Sequence, residues 1–140
     1  MSARRTRSAR AAGLGNLAWG GFLLLTGDLL WQDLTGRPPS PSERGVVRVL
    51  GTRHVVQGLG QVAAPDALPR LWRSVDLSHA GSMLPVVVLD VGRRRPAALS
   101  AAVSLGSALI AAPAARYASQ RARARRRLRA PSTAPRRARR

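Results

Sequence analysis

The feature that most constrains this chain is residues 13–30, an apolar run whose one charged residue, Asp28, lies near its end. As a helix rising about 1.5 Å per residue, these residues nearly cross a hydrocarbon core of roughly 30 Å. A basic stretch precedes the run, as in a secretory signal, but no small-residue cleavage site follows it. We therefore interpret it as a retained membrane span. A buried helix of a soluble protein is the alternative.

Three further segments are candidate helices, and the first two of them carry several polar residues. They cover residues 45–64, 71–91 and 96–115, and proline-containing breaks separate them from one another and from the first run. Aromatic residues make up only 4% of the chain, whereas a soluble core usually gains much of its buried area from them. Small and aliphatic residues suffice for helix packing in lipid. The sequence predicts an all-α, four-helix transmembrane bundle.

The charge distribution predicts the topology. All 24 basic residues are arginine, with four in the first ten residues and eleven beyond residue 115. We expect a basic tail at 1–12, a membrane domain at 13–115 and an Arg/Ala/Pro-rich tail at 116–140. Both ends of the chain are expected to be disordered, the second after an initial helical part.

Basic segments favour the cytoplasmic side of a plasma membrane, so two basic tails require an even number of spans. With four spans, sixteen arginines lie inside and five outside. The alternative leaves segment 45–64 flat at the interface, which gives three spans and exports one tail.

Two of the segments carry polar residues on one face. At 100° per residue, Arg53, His54, Gln57 and Gln61 share a face of segment 45–64, opposite an apolar face. Asp76, His79 and Ser82 share a face of segment 71–91 with Arg73. Each ionisable group at membrane depth costs roughly 2.5–3.5 kcal/mol, so such groups are expected to pair.

A short turn between the two segments makes them an antiparallel pair. We therefore expect Arg53 to pair with Asp76, and His54 and Gln57 to bond His79 or Ser82. The predicted polar cluster comprises Arg53, His54, Gln57, Asp76 and His79.

Three hypotheses describe this polar cluster. It is a structural clamp between two marginal spans, a site for a proton or a small polar ligand because histidine titrates near neutrality, or a metal or catalytic site in which His54 joins Asp76 and His79. The chain has no cysteine, and no catalytic or cofactor-binding fingerprint is present. We assign no catalytic residue, metal or cofactor.

Small residues recur at helical spacing in the last two segments. They form two expected packing ridges, one of Ser74, Ser78 and Ser82 and the other of Ser100, Ser104, Ala108 and Ala112. Such spacing lets helices approach closely in lipid. Ser42 is a candidate cap for the helix of segment 45–64.

Residues 48–58 read Arg-Val-Leu-Gly-Thr-Arg-His-Val-Val-Gln-Gly, and residues 76–83 read Asp-Leu-Ser-His-Ala-Gly-Ser-Met. They resemble the RxLGxRHxxQG … DxxHxxSM pattern of small multi-pass membrane proteins common in actinobacteria. The resemblance covers about residues 14–115 and neither tail. It implies four membrane helices and supplies no activity.

Two functions from different classes follow. The first is a non-enzymatic integral membrane protein, an accessory subunit or small-ligand binder built around the polar cluster, whose arginine tails contact anionic lipid headgroups. A protein partner or a homo-oligomer stays open. The alternative is a nucleic-acid-binding protein that acts through its arginine-rich tail. No DNA- or RNA-binding motif accompanies that tail.

Overall fold

The computed structural model describes residues 2–129, with side chains described at residues 6–113, 115, 116, 119, 120, 122 and 123. It contains four helices: α1 Ser2–Thr35, α2 Pro41–Ala63, α3 Pro69–Leu89 and α4 Arg94–Arg129. No strand occurs in this part of the chain, so the predicted all-α class with four helices is confirmed.

The boundaries of α1 and α2 have local causes. Gly36 ends α1 with a φ of +73°, and its N–H bonds the Gln32 carbonyl at 2.7 Å, as in a left-handed helix cap. Ser40 caps α2 by accepting from the Glu43 N–H at 3.3 Å, while the Ser40 N–H donates to the Glu43 carboxylate at 2.9 Å. The expectation that Ser42 caps this helix is wrong, because Pro41 occupies the first helical position and makes Ser40 the preceding cap.

The basic N-terminal segment is not a disordered tail, since residues 2–12 form the first turns of α1. Ala9 and Ala12 are buried there, and α1 packs against α4, in which Ala111 and Ala115 are buried as well. Small side chains therefore let the two basic segments pack as helices. α4 also covers the part of the C-terminal tail that was predicted to be helical. Residues 130–140, predicted to be disordered, lie outside the described residues.

Helices α1 and α2 are the most closely packed pair, and a seam of glycines explains why. The seam consists of glycines seven residues apart on each helix: Gly13, Gly20 and Gly27 on α1, and Gly51 and Gly58 on α2. A Cβ at Gly20 would lie 2.6 Å from the Gly51 carbonyl oxygen, and one at Gly58 would lie 2.6 Å from the Gly13 carbonyl oxygen. The two backbones thus touch where side chains would separate them.

The other helix contacts differ from the expected pairing. α3 packs against α4, and α1 packs against α4, whereas α2 and α3 make few close backbone contacts. Of the two expected small-residue ridges, the one on α4 is largely buried and includes Ser104 and Ala108. The ridge of Ser74, Ser78 and Ser82 on α3 is exposed, so it is not a packing face within this chain.

Several polar side chains are buried and many large aliphatic side chains are exposed, and we call this reversal of the soluble pattern inverted burial. His54 and Asp76 are fully buried, while Leu25 is 87% and Leu109 is 71% exposed. Helix α2 shows the inversion most clearly, because its buried face carries Glu43, His54, Gln57 and Gln61 and its outer face carries exposed valines and Leu59. This is the reverse of the usual soluble pattern, in which polar and charged side chains are mostly exposed.

One described helix passes a test of length and composition for crossing a membrane. The segment Arg94–Pro113 of α4 has 20 residues and a mean hydropathy of 1.5, and only 33% of its most apolar window is buried inside the bundle. The other three helices carry polar residues within their apolar stretches, among them Asn16, His54 and Asp76.

A test of the glycine seam compares two adjacent positions on α1. In Gly20→Ala the new Cβ meets the α2 backbone, so the helices must separate. We expect the free energy of unfolding to fall by about 1–3 kcal/mol. In Gly21→Ala the Cβ meets nothing within 4 Å, and the higher helix propensity of alanine makes it neutral or stabilising. The measurement is thermal unfolding of the purified variants in detergent. Equal melting temperatures for the two would contradict close contact at the seam.

Candidate functional site

The centre of the candidate site is the carboxylate of Asp76 on α3, which is fully buried. Gln57 of α2 donates to both carboxylate oxygens at 2.9 Å, and Arg53, one turn earlier on α2, forms an ion pair at 3.1 Å. Three hydrogen bonds thus replace the hydration that the carboxylate loses on burial. The predicted Arg53–Asp76 pair is present.

A second set of hydrogen bonds centres on Asn16 of α1, which sequence reasoning missed. Its amide nitrogen donates to Gln61 at 2.9 Å and to Ser107 at 3.0 Å, and its carbonyl oxygen lies 2.9 Å from His54 Nδ1. Because that oxygen has no hydrogen, His54 Nδ1 is the donor. Asn16 therefore joins α1, α2 and α4. The available signal was that Asn16 is the only asparagine of the chain and lies in an apolar segment.

His79 of α3 bonds a different helix from the one predicted. Its Nε2 lies 2.9 Å from the Ser100 hydroxyl on α4, and Ser82 donates to the His79 carbonyl within α3. The expectation that His54 and Gln57 bond His79 or Ser82 is therefore wrong. The reason is the helix packing, because α3 lies against α4 and stands off from α2.

The buried polar residues other than Glu43, together with the partly buried Arg53, form what we call the polar core: Asn16, Arg53, His54, Gln57, Gln61, Asp76, Ser104 and Ser107. It draws on all four helices. The hydrogen bonds that join α2 to α3 among the described residues come from the long side chains of Arg53 and Gln57, because the two backbones make few close contacts. The five predicted cluster residues thus divide, with Arg53, Gln57 and Asp76 in one bonded group, His54 on Asn16, and His79 on Ser100.

Four atoms of the polar core have no hydrogen-bond partner among the described residues. They are Arg53 Nη1, His54 Nε2, Gln57 Oε1 and the Ser104 hydroxyl oxygen. His54 Nε2 and Gln57 Oε1 project from one face of α2, and the serine comes from α4. Buried polar groups of this kind usually bond an ordered water or a polar ligand.

The metal hypothesis finds no support in the geometry. His54, Asp76 and His79 each bond a different residue. Within residues 2–129, no group of three or more histidine, aspartate or glutamate side chains is arranged to hold a metal ion.

A separate ionic cluster at the opposite end of the bundle centres on Glu43, the only glutamate of the chain. Arg37 binds its carboxylate in a bidentate manner at 2.7 and 2.8 Å, and Arg93 binds it at 2.9 Å and also binds Asp90. Arg37 belongs to the α1–α2 connection and Arg93 to the α3–α4 connection. Glu43 therefore joins both connections at one end of the bundle, and the start of α1 and the end of α4 lie toward the other end.

These contacts set the titration of the Glu43 cluster. The bond from Arg37, the Ser40 N–H and the bond from Arg93 hold the pKa of Glu43 well below its usual range. The same carboxylate raises the pKa of Arg37 and of Arg93. The cluster is thus fully charged over the whole physiological range.

An apolar cavity of about 210 Å³ lies between the polar core and the Glu43 cluster. Its walls include Trp19, Leu23 and Trp31 of α1 and Met83 and Val86 of α3. Because the cavity holds almost no polar atoms, the chemistry of the bundle interior is confined to the polar core and the Glu43 cluster.

Comparisons with known proteins add no functional assignment. No family model, no curated protein and no solved structure matches this chain.

The burial of Asp76 predicts the response to two aspartate substitutions. Asp76→Ala leaves Arg53 and Gln57 without their partner in the interior, and breaking such a buried pair costs about 3–5 kcal/mol. Asp66→Ala removes the same carboxylate from an exposed turn and should cost less than about 0.5 kcal/mol. The measurement is the melting temperature in detergent, and indistinguishable melting temperatures would show that Asp76 is not buried and paired.

The Glu43 cluster predicts a pH dependence of stability. A carboxyl whose pKa is lowered in the folded state stabilises it above the ordinary value of about 4.5, and this contribution is lost as the pH falls through the folded pKa. The free energy of unfolding of the wild type should therefore exceed that of Glu43→Gln by about 1 kcal/mol at pH 7. The value is modest because both arginines are half exposed. Denaturant unfolding of both proteins across pH should show this difference shrinking steadily below pH 4.5. A difference that grew in acid would contradict a lowered pKa of Glu43 in the folded state.

Proposed function

We propose that this chain is a non-enzymatic, multi-pass integral membrane protein in which α1 to α4 each cross the plasma membrane. The inverted burial carries the proposal. Large aliphatic side chains on all four helices face outward, while a carboxylate, a histidine and three amides face inward. In water this arrangement would expose the apolar surface that folding normally removes. In a membrane the outer apolar side chains contact lipid and the polar side chains lie inside the bundle, where ionisable residues of membrane proteins are usually found.

The hydropathy of α1, α2 and α3 is consistent with marginal spans that depend on their neighbours. Asp76 is bonded by α2, and the polar side chains of α2 are bonded by α1 and α3. A helix whose polar face is satisfied by adjacent helices enters the bilayer at lower cost than the same helix alone. Segment 45–64 accordingly spans the membrane in this proposal.

The arginine distribution supports an orientation with both termini in the cytoplasm. In this proposal, four crossings leave the start of α1, the end of α4 and Arg70 on one side of the membrane and the Glu43 cluster on the other. The run Arg93–Arg95 lies outside in this orientation, against the positive-inside tendency. Arg93 is paired there with Glu43 and Asp90.

Within this membrane protein we propose that the polar core acts as a structural clamp. Asp76 and Asn16 use their hydrogen-bonding groups on partners from other helices, so the core connects all four helices. The site for a proton or small polar ligand is the second candidate, favoured by the unpaired atoms of His54, Gln57 and Ser104. Ordered water satisfies buried polar atoms of this kind, so the clamp requires no ligand.

Membrane integration and topology are tested together. We expect the chain to stay in the membrane pellet after alkaline carbonate extraction. Single cysteines introduced into this cysteine-free chain then report sidedness: Ala67→Cys reacts only from the cytoplasmic side, and Ser40→Cys and Gly92→Cys only from outside. Recovery in the soluble fraction would contradict the proposal and favour the nucleic-acid-binding alternative. A cytoplasmic Gly92→Cys in a retained chain would contradict the four-span topology alone.

A further inference from the structure

A cleft of about 270 Å³ lies between the start of α3 and the second half of α4, remote from the Glu43 cluster. We call it the basic cleft. Three arginines line it, Arg70, Arg73 and Arg116, together with Leu77 and the serines at 74 and 119. No acidic residue is among the lining residues.

The three arginines of the basic cleft lack anionic partners. The described ion pairs use Asp28, Glu43, Asp76 and Asp90, each with an arginine elsewhere. Three guanidinium groups around one concave surface create a strong positive potential, and the low-dielectric wall of the protein enhances it. The cleft therefore attracts an anion.

Arg73 adds an observation independent of charge. Its side chain is half-buried, and its Nε is buried without a hydrogen-bond partner. A buried charged donor without an acceptor is costly. The two serine hydroxyls donate to backbone carbonyls of their own helices, Ser74 to Leu71 and Ser119 to Ala115. The arginines are thus the donors that an anion in this cleft would meet.

The geometry points to phosphate as the anion, because a guanidinium fork matches phosphate oxygens in a bidentate manner. The surroundings distinguish a lipid from free phosphate. Leu68, Leu71 and Leu77 at the start of α3 are 39–50% exposed, so apolar surface adjoins the charged cleft. A phospholipid carries both features, with an anionic headgroup and acyl chains beside it.

We propose that the basic cleft binds the headgroup of an anionic phospholipid at the cytoplasmic surface of the membrane. The proposal rests on the membrane function above, which places this end of the bundle at that surface. It differs from a general attraction of the arginine-rich segments to lipid, because it assigns binding to Arg70, Arg73 and Arg116 and not to charge alone.

The test measures binding of phosphatidylglycerol to the full chain in detergent by native mass spectrometry, with phosphatidylcholine as the uncharged comparison. Arg73→Gln and Arg116→Gln should each weaken phosphatidylglycerol binding about tenfold, which corresponds to loss of one charge-assisted hydrogen bond. Arg10→Gln removes an exposed arginine from α1 at the same end of the bundle but outside the cleft, and it should bind as wild type does. Arg116 is also exposed, so its variant reports binding even if Arg73→Gln fails to fold.

Three results would overturn the headgroup assignment. They are wild-type affinity in Arg73→Gln and Arg116→Gln, an equal loss in Arg10→Gln, and displacement of phosphatidylglycerol by millimolar inorganic phosphate, which would make free phosphate the ligand. Each is distinguishable from failure of the proposed function, since that failure appears as recovery of the chain in the carbonate-soluble fraction. A membrane-retained chain with cleft-independent lipid binding contradicts this inference alone.

Discussion

A carboxylate with no solvent exposure persists only where other groups supply the hydrogen bonds of water, and the position of α3 follows from that requirement. Arg53 and Gln57 reach Asp76 from α2 across a gap that the two helix backbones do not close. A buried ion pair often adds little net stability over a well-packed apolar pair, but removal of one partner is costly. We therefore interpret the Asp76 contacts as setting the register of α3 against α2. The Asn16 contacts do the same for α1 and α4.

The glycine seam and the polar core depend on each other. Contact between the α1 and α2 backbones at Gly20 and Gly51 brings the short Asn16 side chain within reach of His54 and Gln61. A seam opened by larger residues would leave these polar groups apart and unsatisfied. Dispersion and hydrogen bonding stabilise helix association in lipid, and here both act along the same helix pair.

The sequence predicted the elements better than their partners. Hydropathy and proline-containing breaks located four helices, and helical periodicity placed the polar residues of α2 and Asp76 on inward faces, because both properties are local. Neighbouring segments were assumed to pack on each other, and this misplaced His79, whose partner Ser100 lies on α4. Asn16 and Glu43 were missed as central residues because their contacts join segments far apart in the chain. The helical start of α1 was missed because it depends on alanine packing against α4.

The glycine seam also bears on biosynthesis. α1 and α2 are made first, and their seam lets them assemble as a hairpin before α3 exists. In that hairpin Asn16 can already hydrogen-bond His54 and Gln61. Arg53 and Gln57 have no carboxylate partner until Asp76 is synthesised, 19 residues after Gln57. Under the proposed membrane function, the nascent chain passes through a stage in which a cation and an amide lack their carboxylate partner. Arrival of α3 supplies Asp76 and ends that stage.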